Sequence, residues 1–182
     1  MRTFVLGGAR SGKSALATRL ATELAQDVCC VVTAVIADEE MKARIEAHRR
    51  DRPSHWQVRE APMKLSAALH EECRPRRTVL VDCLTLWTAN CLWPPASVPV
   101  DPNTPFEPDL AGWHAERDAF LANLATTRHD VIIVSNEVGT SLVPESAAAR
   151  LFRDEQGRLN QLVAAACDSA FLVAAGLPLR LK

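Results

Sequence analysis

The sequence predicts an α/β protein: a mostly parallel sheet with helices on both faces and a short antiparallel strand pair at the C-terminal end. Short apolar runs typical of buried strands alternate with longer amphipathic segments along all 182 residues. A glycine-rich turn separates the first strand from the first helix. The last two strands are so close in sequence that only a tight turn can join them. The length suits one compact domain, residues 1–182.

The elements follow in order from hydrophobic pattern and capping residues. Continuous apolar runs predict strands buried on both faces. The first helix carries Leu16, Leu20 and Leu24 at a spacing of four, and Asp38 is a predicted N-cap of the second helix. The predicted strands cover residues 2–6, 28–33, 78–82, 131–135, 170–174 and 177–181. The later predicted helices cover residues 38–50, 64–72, 109–127 and 146–167, and the closing turn falls at Gly176-Leu177-Pro178.

Residues 93–108 hold six prolines and predict an irregular, exposed loop. A loop of this length is either a lid over a site or a tolerated surface insertion, and the sequence favours neither.

Composition excludes several classes of protein. Apolar residues make up 48% and charged residues 24%, and the net charge is −1, so no general attraction to nucleic acid is expected. No apolar run approaches the ~18 residues of a membrane span. The N-terminus lacks the pattern of a secretory signal. Both observations favour a cytoplasmic protein. The six cysteines lack zinc-site spacing and are expected to be reduced thiols that pack as small apolar groups.

A phosphate-binding loop follows the first strand. Residues Gly7, Gly8, Ala9, Arg10, Ser11, Gly12, Lys13 and Ser14 match G-x-x-x-x-G-K-[ST] in full. Glycines let successive N–H groups point inward, and the following helix adds the positive end of its dipole. Lys13 is expected to reach the β- and γ-phosphates, and the Ser14 hydroxyl is expected to bind Mg²⁺. The fold prediction is therefore P-loop NTPase-like, of the RecA-like kind.

Polar residues follow the other buried strands at the same edge of the sheet. Gly7, Thr33, Asp82 and Asn136 all fall where a strand ends, and ligands of parallel sheets bind at that edge. Asp82 fits an acidic group that holds Mg²⁺ directly or through water. A capping or solvated Asp is the alternative, and the phosphate loop favours the metal role.

A histidine lies in an arginine-rich segment after the second strand. Met41, Ile45 and His48 stand at i, i+4 and i+7, which predicts that His48 shares the inward-facing stripe of its helix. Arginines suit oxyanions, and Arg44, Arg49 and Arg52 surround His48 in the sequence. A boundary histidine bonded to a backbone carbonyl is the alternative. His55 is a rival nucleophile, and Trp56 is expected to pack rather than stack on a base.

With these motifs the chain resembles the bifunctional adenosylcobinamide kinase/adenosylcobinamide-phosphate guanylyltransferase family of cobalamin biosynthesis. The resemblance covers essentially the whole chain. Its phosphate loop is generic, whereas the histidine segment and the Asn-Glu-Val-Gly motif are specific. The segments that carry it are Gly7–Ser14, Arg44-Ile-x-x-His48-Arg, Arg52-Pro53, Trp56, Glu60, Asn136-Glu-Val-Gly139, Val143-Pro144-Glu145, Arg150-x-Phe-Arg-Asp154-x-x-Gly157-Arg-x-Asn160-Gln161 and Gly176-x-Pro-x-x-x-Lys182.

The resemblance implies two reactions. A nucleoside triphosphate, ATP or GTP, phosphorylates adenosylcobinamide; GTP then guanylylates a histidine, and GMP passes to the new phosphate to give adenosylcobinamide-GDP. The resemblance makes His48 the guanylylated residue and implies a homotrimer. It implies nucleotide contacts at Gly7 to Ser14, Thr33, Ala34, Arg49, Arg50, Asp51, Arg52, Glu60 and Asp82. Two alternatives remain: another P-loop kinase of a small molecule, in which His48 is idle, and a nucleotide-binding module without catalysis.

Overall fold

The computed structural model describes residues 1–25, 27–36, 38–95 and 107–182. Its core is a seven-stranded sheet with the strand order β3-β2-β4-β5-β1-β6-β7. The strands are β1 (Arg2–Gly7), β2 (Asp27–Val32), β3 (Gln57–Glu60), β4 (Arg77–Asp82), β5 (Asp130–Asn136), β6 (Ser169–Ala174) and β7 (Leu177–Arg180). The helices are α1 (Lys13–Leu24), α2 (Glu39–Arg50), α3 (Leu65–Glu72), α4 (Leu84–Leu92), α5 (Leu110–Thr126) and α6 (Ala147–Ala166).

All strand pairs are parallel except the last. β5 lies between β4 and β1, in register from Val79↔Val131 to Asp82↔Val134 on one side and from Arg2↔Val131 to Gly7↔Asn136 on the other. β6 and β7 pair antiparallel. The predicted α/β fold with a closing antiparallel pair is therefore confirmed, and the carboxyl ends of β1, β4 and β5 meet at one edge.

The helices cover both faces of the sheet. On one face, α3, α4, α5 and α6 bury a large core in which the Trp87 and Trp113 rings meet edge to face at 5.0 Å. On the other face, Ala17 and Ala21 of α1 pack against β1, β4 and β5 residues with Trp56. Both helical layers agree with the predicted arrangement. No helix in the described ranges is both long and apolar enough for a membrane crossing.

The six cysteines are free thiols that contribute to packing. Five are buried, and Cys73 is half-buried. Burial raises the pKa of the Cys30, Cys91 and Cys167 thiols to about 12, so they stay protonated at neutral pH. This agrees with the prediction of cysteines that pack as small apolar groups.

Two elements were missed by the sequence prediction. β3 is a short edge strand whose Gln57, Val58 and Glu60 are exposed, so it has no buried apolar run to reveal it. α4 is apolar and buried on most of its surface, and without a polar face it shows no amphipathic pattern. The remaining predicted helices and strands agree with the structure to within about two residues.

Two further predictions concern turns and loops. The closing turn lies at Ala175 and Gly176, with φ of 50° and 79°. Leu177 and Pro178 belong to β7, so the turn predicted at residues 176–178 began one residue too late. The predicted proline-rich loop at 93–108 falls mostly on residues 96–106, which lie outside the described residues.

Candidate functional site

The phosphate loop has the strand–turn–helix context that its motif requires. β1 ends at Gly7, and α1 begins at Lys13 directly after Gly12, whose φ of 95° is the left-handed conformation that favours glycine. A Cβ added at Gly7 would lie 2.5 Å from the Ser11 Oγ and 2.6 Å from the Val173 carbonyl oxygen. The backbone of the loop is therefore held so closely that these positions have no room for side chains.

The C-terminal hairpin turn supports this loop. The Gly176 N–H donates to the Ser11 carbonyl at 2.8 Å, and a Cβ on Gly12 would lie 3.0 Å from the Gly176 Cα. Sequence reasoning did not find this contact, because residues so far apart along the chain carry no local pattern that links them. The only feature of the sequence that points to this contact is the glycine in the turn of the last hairpin.

Lys13 is already positioned at the loop. Its Nζ donates to the Gly8 carbonyl at 3.1 Å. Burial lowers the pKa of the Lys13 ammonium, an effect that the nearby Cys83 and Asp82 partly oppose. A partly desolvated ammonium binds an incoming phosphate more strongly than an exposed one does.

The other strand ends gather as the sequence predicts. Gly7 and Asn136 are partners in the β1–β5 register, and the Thr33 N–H donates to the Asp82 carbonyl at 3.2 Å. Thr33 is fully buried, and its hydroxyl donates to the Cys83 carbonyl and accepts from the Cys83 N–H. The Thr33 side chain therefore ties β2 to β4, and contact between Thr33 or half-buried Ala34 and a nucleotide stays a prediction.

An arginine reaches the candidate metal ligand. The Arg52 Nη2 lies 3.5 Å from the Asp82 Oδ2, and both side chains are largely buried. This ion pair brings the segment after α2 to the edge of the sheet. The other predicted contacts in that region are exposed, namely Arg49, Arg50, Asp51 and Glu60.

The predicted orientation of His48 is wrong. α2 has no buried residue: Met41 and Ile45 are half-buried, whereas His48 is exposed. Seven of its twelve residues are Asp, Glu, Lys or Arg, so two apolar residues do not make an inward-facing stripe that extends to His48. The expected N-cap is confirmed, since Asp38 accepts from the Met41 N–H at 2.7 Å.

The neighbouring aromatic and histidine behave as expected. Trp56 is buried in the core beneath α1, which confirms packing. His55 and His48 are both exposed, so burial does not distinguish the two candidate nucleophiles.

The donor set at the edge suits a hard cation. The Ser14 hydroxyl and the Asp82 carboxylate offer oxygen ligands, and Mg²⁺ commonly binds one or two protein oxygens together with phosphates. In the described ranges, no three His, Cys, Asp or Glu side chains form a group able to hold a metal by themselves. The two oxygen donors suit a hard cation that also binds nucleotide phosphates.

Comparison with known proteins decides the family. The sequence model of the family described as cobinamide kinase / cobinamide phosphate guanyltransferase matches residues 3–181. The chain belongs to this family. The "bifunctional adenosylcobalamin biosynthesis protein CobP" of Pseudomonas aeruginosa is 43% identical over all of this chain and 98% of the relative. The "bifunctional adenosylcobalamin biosynthesis protein CobU" of Escherichia coli is 37% identical over all of both chains.

Membership confirms the resemblance and the enzyme class read from the sequence. The family unites a cobinamide kinase and a cobinamide phosphate guanylyltransferase, and its curated relatives act in adenosylcobalamin biosynthesis. It supports this pair of activities over the plain kinase and the non-catalytic module. It assigns no residue roles, so the site residues remain predictions.

Solved structures confirm the fold alone. The RadB recombinase matches 94% of this chain and 73% of its own with a TM-score of 0.50 at 17% identity. An ATP synthase subunit, NeqB from Nanoarcheaum equitans, matches 95% of this chain and 45% of its own with a TM-score of 0.51 at 12% identity. These neighbours agree with the expected RecA-like arrangement.

Proposed function

We propose that this chain phosphorylates adenosylcobinamide with a nucleoside triphosphate and then transfers GMP from GTP to the new phosphate through His48. The observation that carries the proposal is the meeting of the phosphate loop, Asp82 and Arg52 at one edge of the sheet. α2 ends two residues before Arg52, so the helix that bears His48 leads directly into that edge.

The kinase step depends on positioning and charge. The loop N–H groups and the start of α1 hold the phosphates, and Lys13 offsets charge on the β- and γ-phosphates. The substrate hydroxyl oxygen bonds to the γ-phosphorus while the bond to the β-phosphate oxygen breaks, and a nucleoside diphosphate leaves. The hydroxyl proton passes to solvent or a phosphate oxygen.

Ser14 and Asp82 are the residues proposed to hold Mg²⁺. When bound, the cation neutralises charge on the phosphate oxygens of the nucleotide. The Arg52 guanidinium now faces Asp82, so we expect it to shift from the carboxylate toward a phosphate when a nucleotide is present.

The guanylyl step uses a neutral imidazole. A ring nitrogen of His48 attacks the α-phosphorus of GTP, and pyrophosphate leaves with charge that Lys13 and Arg52 can stabilise. The phosphate oxygen of adenosylcobinamide phosphate then attacks the same phosphorus. The P–N bond breaks, the imidazole is restored and adenosylcobinamide-GDP is released.

The proposal extends to nucleotides and assembly. The nucleotide contacts are those expected at Gly7 to Ser14, Thr33, Ala34, Arg49 to Arg52, Glu60 and Asp82. The kinase step takes ATP or GTP, and the acting form is a homo-oligomer, a homotrimer by family resemblance.

The test follows each phosphate separately. Protein is incubated with adenosylcobinamide and γ-labelled ATP or GTP, and separately with α-labelled GTP, before corrinoids and protein are separated. We expect γ-label in the corrinoid, α-label on the protein, and transfer of that α-label when the phosphorylated corrinoid is added. Transfer of γ-label to the corrinoid without any α-label on the protein would show that the protein is a kinase only. No label on either the corrinoid or the protein would refute the proposal.

A further inference from the structure

Asn136 carries a buried polar atom that the fold leaves without a partner. It is the last residue of β5, directly between the ends of β4 and β1, which carry Asp82 and Gly7. Its side-chain Oδ1 is inaccessible to solvent and has no hydrogen-bond partner among the described residues. A buried acceptor without a hydrogen-bond partner destabilises the free protein, so a donor that arrives with a ligand would remove this cost.

The backbone at Asn136 is fixed by a polar network. The Asn136 N–H donates to the Thr85 Oγ1 at 2.9 Å, and its carbonyl accepts from the Asn160 Nδ2 at 3.1 Å. The Asn160 Oδ1 in turn accepts from the Ser135 Oγ at 2.7 Å and from the Gln156 Nε2 at 2.9 Å. Asn136 is therefore held from α4 and α6 while its own amide oxygen is left free.

Strand alternation places this side chain on the phosphate-loop face. Ile132 and Val134 of β5 pack in the cluster formed with α1, whereas Ser135 bonds to α6 on the opposite face. Asn136 has the same parity as Ile132 and Val134, so it lies on the α1 face. Asp82 shares that face by the same argument, because Leu80 packs in the α1 cluster.

We propose that the Asn136 Oδ1 accepts a hydrogen bond from an O–H group at the terminal phosphate of the bound nucleotide. This inference rests on the proposed function. Two groups supply such a donor: the alcohol that attacks the γ-phosphorus and a Mg²⁺-bound water. An amide is not a base, so Asn136 orients the oxygen and takes no proton, and the alcohol proton leaves by the route given above.

The test removes the acceptor without removing the shape. Asn136→Leu replaces an unpaired polar atom with an apolar group of similar size, so the melting temperature of the free protein should stay the same or rise. Kinase turnover should fall by at least about tenfold with nucleotide KM little changed, since orientation of the attacking group acts in the transition state. Asn123→Leu, on α5, removes an asparagine amide that lies away from the site and donates to the Ser66 carbonyl at 2.9 Å, so it controls for the loss of a structural amide.

The two donors give different patterns. If the donor is the alcohol, labelling of the protein by α-labelled GTP is unchanged in Asn136→Leu. If it is a metal-bound water, labelling falls as well and the Mg²⁺ concentration for half-maximal rate rises. Loss of both activities without a change in Mg²⁺ dependence, or with a lower melting temperature, would show a structural role and overturn the inference.

Kinase turnover within about twofold of wild type would also overturn it. Should the Leu variant fail to fold, the same kinase and labelling measurements are made on Asn136→Ser. Serine keeps a polar oxygen, but its side chain is too short for that oxygen to reach the same donor. Wild-type protein that neither phosphorylates nor becomes labelled would refute the proposed function itself. Active wild type with an unaffected variant refutes only the role of Asn136.

Discussion

The phosphate-loop edge and the histidine helix differ in how firmly the free protein holds them. The loop lies between β1 and α1 with Gly7 packed against Ser11 and Val173, and the C-terminal turn bonds to it. α2 has no buried residue, and His48 is exposed. In the described part of the chain, the ion pair between Arg52 and Asp82 links the segment after the histidine helix to the phosphate-loop edge.

This difference separates binding from chemistry. The loop edge is preorganised, so nucleotide phosphates meet N–H groups and an ammonium that need little rearrangement. The imidazole is not held by packing, so we expect part of the nucleotide's binding energy to be used to position α2 for guanylyl transfer. Changes at the edge should therefore affect both reactions, and changes at α2 should affect one.

Lys13→Ala should give the largest effect. Both transfers develop charge near the Nζ, so each kcat/KM should fall by about 10²–10³-fold while the fold stays intact. Steady-state assays of both reactions and circular dichroism measure this. Lys64→Ala, an exposed lysine just before α3, is the control, and near-normal rates for Lys13→Ala in either reaction would refute the shared loop.

Arg52→Ala tests the link between the two regions. Loss of the guanidinium should free the segment after α2, so that protein guanylylation falls by about tenfold and kinase turnover falls less. Initial rates with α- and γ-labelled GTP give the ratio of the guanylylation rate to the kinase rate. Arg19→Ala, exposed on α1, should leave the ratio unchanged. An equal loss in both reactions would show that Arg52 serves the phosphates alone.

A matched pair of glycines tests how tightly the loop is packed. Gly7→Ala should lower the free energy of unfolding by about 1–3 kcal/mol, because its Cβ would overlap Ser11 and the Val173 carbonyl. Gly8→Ala meets no atom within 4 Å and should change stability by less than about 0.5 kcal/mol. Urea unfolding of both variants checks this, and equal stabilities would show that the loop relaxes.

The smallest expected effect is a pH dependence of nucleotide capture. Because burial lowers the pKa of Lys13, its ammonium loses its proton at a lower pH than an exposed lysine does. The kcat/KM for the nucleotide, which reports the free enzyme, should therefore fall on the alkaline side below the ordinary lysine range. Lys13→Arg stays charged and should lose this decline; an unchanged profile in that variant would assign it to another group.

Sequence reasoning worked best where a local signal was strong. The apolar runs of β1, β4 and β5 and the loop motif placed Gly7, Asp82 and Asn136 at one edge, as the structure confirms. It failed at α4, which is buried on most of its surface, and at β3, which is an exposed edge strand. It also misplaced His48, since two apolar residues suggested a stripe that a highly charged helix does not bury.

Long-range contacts were beyond its reach. The Arg52–Asp82 pair and the Gly176–Ser11 hydrogen bond join residues that are distant in sequence. Such contacts follow from strand order and loop packing, and no spacing pattern encodes them. The lack of a hydrogen-bond partner for the buried Oδ1 of Asn136 could not be predicted for the same reason.

The central claim is that one sheet edge serves two transfers, the second through His48. The most direct measurement is peptide mapping after incubation with α-labelled GTP, with His48→Ala and His55→Ala, which changes the other exposed histidine of this segment, compared in parallel. We predict acid-labile, base-stable label on the peptide that contains His48, no label in His48→Ala, and full label in His55→Ala. Label on another residue, or label that persists in His48→Ala, would contradict the account.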